Sequence, residues 1–134
     1  MKAMLEAGVA AMPAASGAFP QISGFCFTYD IEAEPGNRVT GATRQAADGS
    51  CSGEAIDLSE TATYTIATND FTASGGDNYP ELLSRANTRD ILASVVSAYV
   101  AGESPLSLPG EPLAPKIEGR IVCQGEGCPM PAGS

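Results

Sequence analysis

A chain of 134 residues, 43% of them hydrophobic, suffices for one domain with a core and is too short for two. Its formal net charge of −9 comes without any basic cluster, which argues against a nucleic-acid polymer as partner, because neutralising phosphates takes grouped Lys and Arg. The absence of histidine removes Ser-His-Asp and Cys-His relays and any hydrolytic zinc site built on imidazoles, and no apolar run approaches the roughly 20 residues of a membrane span.

In chain order, Met1, Met4, Leu5 and Val9 share one face at helical spacing, so the spacing predicts a helix over Met1 to Ala10. Glu6 interrupts the apolar stretch and separates it from a secretory leader. A loop rich in Pro, Ala, Ser and Gly follows to Gly24, with Phe19 expected to anchor it rather than face a ligand. Phe25 to Asp30 reads as a strand, with Phe25, Phe27 and Tyr29 on one face. Glu34-Pro35-Gly36-Asn37 is a turn signal, and Arg38 to Arg44 is the returning strand. Gln45 to Glu60, with Asp48-Gly49 and Ser52-Gly53, is a longer excursion.

A third strand is expected from the β-branched and aromatic run around Tyr64, before a loop built on Gly75-Gly76. Pro80 suits the first turn of a short helix through Leu83. Asn87 or Thr88 is expected to cap a further helix, with Asp90 in its first turn and Gly102 as its stop. Its stripe Ile91, Leu92, Val95, Val96, Tyr99 and Val100 predicts core-facing packing. Ser104 to Pro115 reads as a proline-rich extended connection, Lys116 to Val122 as a last strand, and residues 123–134 as a Cys/Gly/Pro tail. The whole reads as an α+β domain, with a mixed, mostly antiparallel sheet and helices packed against it.

Four cysteines allow three pairings. Cys123 and Cys128, five apart across two glycines, are favoured as a disulfide over free thiols or a metal site. Cys26 and Cys51 then pair or stay free. The short Cys-x2-Cys spacings of zinc ribbons are absent. Oxidised pairs would place the protein outside the cytosol.

The loop after Tyr64 carries one aromatic, Phe71, and one carboxylate, Asp77. Together they suit a ligand with a flat ring and vicinal hydroxyls, such as a nucleoside. Taken alone, the same residues also fit a core phenylalanine and a turn-forming aspartate. Asn78 tolerates a left-handed backbone, so the turn can run through it.

Asn69-Asp70-Phe71 followed by Gly75-Gly76-Asp77-Asn78-Tyr79 resembles the signature loop of the 5′-nucleotidase C-terminal domain. Gly17-Ala18-Phe19-Pro20-Gln21-Ile22-Ser23-Gly24, Phe27-Thr28-Tyr29-Asp30, Pro35-Gly36-Asn37-Arg38-Val39 and Glu118-Gly119-Arg120-Ile121 follow that family in order, over residues 1–122. The resemblance implies the substrate-binding half of an extracellular or periplasmic nucleotide phosphohydrolase, with the chain beginning partway through its domain. It implies that Phe71 stacks on the base and that Asp77 accepts hydrogen bonds from the ribose hydroxyls.

In that family a second base-stacking aromatic and the phosphate-holding arginines lie upstream, so Arg38, Arg44, Arg85, Arg89 and Arg120 do not inherit their roles. Asn78 stands where a glycine is usual. The divalent metal pair is expected in a separate N-terminal metallophosphatase domain, with no cofactor and no catalytic residue in this chain, so the chain by itself is expected to be inactive. The reading from another class is a non-catalytic secreted module that serves structure or protein interaction.

Overall fold

The computed structural model describes residues 1–107, 110 and 117–129. Its centre is a three-stranded mixed sheet in the order β2-β1-β3. Strand β1, Phe25–Asp30, pairs antiparallel with β2, Val39–Arg44, and parallel with β3, Ile121–Gln124. The hairpin forms as the turn chemistry requires. Pro35 and Gly36 occupy its centre, Gly36 at φ 95°, and the Asn37 N–H donates to the Glu34 carbonyl at 2.9 Å.

Helix α1, Lys2–Val9, lays Leu5 and Val9 on the sheet, where they meet Phe27, Tyr29, Val39 and Ala42, with Ile31 and Ile56 completing the core. Burying each large apolar side chain contributes about 1.5–3 kcal/mol. Two polar side chains share this interior. The Glu6 carboxylate accepts from the Arg38 and Val39 backbone N–H groups at 3.0 and 2.9 Å, which ties α1 to the start of β2. The Arg38 guanidinium donates to the carbonyls of Val9, Ala10 and Met12 at 2.8, 3.2 and 2.8 Å, and to Ala33 at 3.0 Å. It thereby satisfies acceptors that the end of α1 leaves open. Helix and hairpin hold each other through these two residues.

Both cysteine pairs are disulfides, Cys26–Cys51 and Cys123–Cys128. The first fastens the excursion after β2 to the central strand. Closing loops of 25 and 5 residues, the two should differ in their constraint on the unfolded chain by about 1.4 kcal/mol. We therefore expect Cys26→Ser/Cys51→Ser to lower the unfolding free energy by about that much more than Cys123→Ser/Cys128→Ser, as read from urea midpoints. Equal losses would contradict this.

Several expected elements lie elsewhere. No strand forms around Tyr64. The outer edge of β2 is met by the excursion, with Thr43 bridged to Ala55 and the Ile56 N–H donating to the Ala42 carbonyl at 2.8 Å, and residues 62–69 join neither edge of the sheet. Pro80 starts no helix, because the Leu82 N–H turns back to the Ala73 carbonyl at 2.8 Å. A 3₁₀ turn follows at Leu83–Arg85. Helix α3 spans Leu92–Glu103, past Gly102, with no side chain capping its start, so Asn87, Thr88 and Asp90 precede it.

The stripe on α3 is not core-facing. Tyr99 is 64% exposed, and no residue of the helix is buried. The side opposite the stripe carries only small residues, Ala93, Ser94, Ser97, Ala98 and Ala101, and the large apolar side chains stay exposed. Strand β3 begins at Ile121, with residues 117–120 outside it, since Gly119 at φ 72° breaks the extended backbone just before it. The prolines 109, 112 and 115, Lys116 and the last five residues lie outside the described residues.

Candidate functional site

The Phe71–Asp77 loop is built locally. The Asn69 side chain accepts from the Thr72 N–H at 2.8 Å and caps a single helical turn, α2, Asp70–Ala73. Ala73 is buried and anchors that turn, whereas Phe71 on its other side is 56% exposed. The ring of Phe71 packs against Gly76, where a Cβ would sit 2.5 Å from two of its carbons. Only glycine leaves room for the ring in that position. The backbone then passes through two left-handed residues, Asp77 at φ 55° and Asn78 at φ 63°. Asn78 therefore takes the conformation expected of it, at a position where the family usually has glycine.

Phe71, Thr72, Asp77 and Tyr79 line one side of an open cleft of ≈ 940 Å³. Residues 17–25 and 64–69 provide other walls, and Met1 and Leu5 reach it from α1. The structure brings Phe71 and Asp77 to the lining of one cleft. Phe19 both lines the cleft and packs against the core. Arg38 is buried in its structural role, away from the cleft lining.

Tyr79 is the site residue to which sequence reasoning gave no role. Its hydroxyl donates to the Ala18 carbonyl at 2.7 Å and closes the loop onto the opposite wall. Burial pushes its phenol above the ordinary range, and the charge of Asp77 pushes it further in the same direction. The two partners are 61 residues apart, so no local pattern marks the contact.

The chain has no histidine, its thiols are all in disulfides, and among the described residues no group of three or more Cys, Asp or Glu converges to hold an ion.

The comparisons agree on one family. The family model for the 5′-nucleotidase C-terminal domain matches residues 1–84. The chain is 32% identical over 121 residues to the trifunctional nucleotide phosphoesterase protein YfkN of Bacillus subtilis (strain 168), covering 90% of this chain and 8% of that protein. It is 36% identical over 103 residues to protein UshA of Escherichia coli (strain K12), covering 75% and 16%. The crystal structure of a 5′-nucleotidase precursor from Thermus thermophilus superposes with a TM-score of 0.65 at 27% identity, over 92% of this chain and 23% of that one. The chain thus spans less than a quarter of each of these relatives. With matching sequence, sheet and loop, this chain belongs to the 5′-nucleotidase C-terminal domain family.

Proposed function

We propose that this chain forms the nucleoside-recognition part of a 5′-nucleotidase-type metallophosphohydrolase, which converts nucleotides to nucleoside and phosphate. The observation that carries the reading is the half-exposed ring of Phe71 beside Asp77 in one cleft. An aromatic face stacks on any base, contributing about 1–3 kcal/mol. An ionised carboxylate is acceptor-only and takes two hydroxyl donors together. A face for a flat ring and an acceptor for hydroxyls in one cleft suit a nucleoside better than a free base or a sugar.

In this reading the hydrolytic step is carried by a metal pair held in a separate metallophosphatase domain. The two disulfides fit an enzyme exported to the periplasm or beyond. The test is a comparison of Phe71→Ala with Phe71→Tyr in equilibrium binding of adenosine. The alanine variant is expected to bind about tenfold more weakly, as loss of one stacking partner implies, and the tyrosine variant close to the unmodified chain. Equal affinities for all three proteins would overturn the role of the ring.

A further inference from the structure

The carboxylate of Asp77 accepts no hydrogen bond among the described residues, so no neighbouring side chain holds it in place. Its position must come from the backbone that carries it. That backbone is left-handed at Asp77 and Asn78 and extended at Tyr79, with φ −66° and ψ 151°. Among the described residues, the Tyr79 hydroxyl makes the one hydrogen bond that leads from residues 69–79 to any residue before 69 or after 82.

The phenol reaches Ala18 across α1, at the one helix position without a side chain. A Cβ on Gly8 would stand 2.7 Å from the Tyr79 hydroxyl and 2.7 Å from Cδ of Pro20. Gly8, Pro20 and Ala18 thus form a socket for the phenol.

We infer that Tyr79 is a positioning residue: its hydroxyl, seated on Ala18 over Gly8, fixes where Asp77 presents its carboxylate to the ribose hydroxyls. The inference rests on the nucleoside reading above. It concerns the sugar end of the ligand and leaves the ring of Phe71 untouched.

The experiment measures binding of adenosine and of 2′,3′-dideoxyadenosine, which keeps the base and lacks both hydroxyls, to the unmodified chain, Tyr79→Phe and Gly8→Ala. The unmodified chain is expected to prefer adenosine at least tenfold. Tyr79→Phe keeps the ring and loses the hydrogen bond, so adenosine affinity falls about fivefold while dideoxyadenosine affinity holds. Gly8→Ala pushes the phenol off its socket and shrinks the preference in the same way.

A loss shared equally by both ligands would make Tyr79 a general prop, and an unchanged preference in both variants would make it irrelevant; either overturns the inference alone. An unmodified chain that binds neither ligand, or does not distinguish them, would overturn the nucleoside reading together with this one.

Discussion

Asp77→Asn should weaken adenosine binding about 30-fold, or roughly 2 kcal/mol, while leaving the unfolding free energy nearly unchanged. The magnitude follows from two hydroxyl donors losing a charged acceptor, since hydrogen bonds to charged groups contribute about 1.5–3 kcal/mol each and the amide keeps one oxygen. Asparagine is the clean substitution. Asp77 sits at φ 55°, a conformation that Asn adopts readily and Ala does not, so Asp77→Ala would mix backbone strain with the loss of the carboxylate. Asp77 is exposed and makes no ion pair among the described residues, which is why stability should hold. A 30-fold loss accompanied by a large drop in the urea midpoint would point to a folding defect instead. No loss at all would remove Asp77 from the site.

Glu6→Ala should cost about 4 kcal/mol of folding stability. The Glu6 carboxylate is buried and satisfies two backbone donors at the entry to β2, and each buried N–H left without a partner costs about 1–3 kcal/mol. Lys2 lies 3.7 Å from Glu6 but is well exposed, so that ion pair adds little. Glu6→Gln keeps one acceptor and should lose about half as much. Urea denaturation distinguishes these outcomes. A Glu6→Ala chain within 1 kcal/mol of the unmodified protein would mean that water replaces the carboxylate.

The consequence also reaches the cleft. Helix α1 carries Gly8, against which the Tyr79 phenol seats, so loosening α1 from β2 loosens the loop that presents Asp77.

Several local signals were readable, although the helix signals at Pro80, Asn87, Thr88 and Gly102 were not. The Pro35-Gly36 turn, the alternation in Phe25 to Asp30 and the helical spacing of Leu5 and Val9 each prescribe their own geometry. The turn at Gly75-Gly76 was readable as well, whereas the helical turn that Asn69 caps before it was not. The remaining failures were decided at a distance. Residues around Tyr64 have strand propensity, but propensity makes a strand only where the chain runs along a sheet edge, and these residues join neither edge. The stripe on α3 tells that the helix is apolar without telling what it meets. Glu6 read as a break in an apolar run, whereas its partners lie 32 and 33 residues downstream. Tyr79 has the same character, with its acceptor on the far wall of the cleft.

The central claim is that the cleft between Phe71 and the 17–25 loop receives a nucleoside, and titrating the unmodified chain with adenosine while following amide NMR shifts tests it most directly. Saturable shifts are expected, concentrated in residues 69–79 and 17–21, with the sheet far from the cleft unmoved. A folded chain whose spectrum does not respond, or responds only on surfaces away from Phe71 and Asp77, would contradict it.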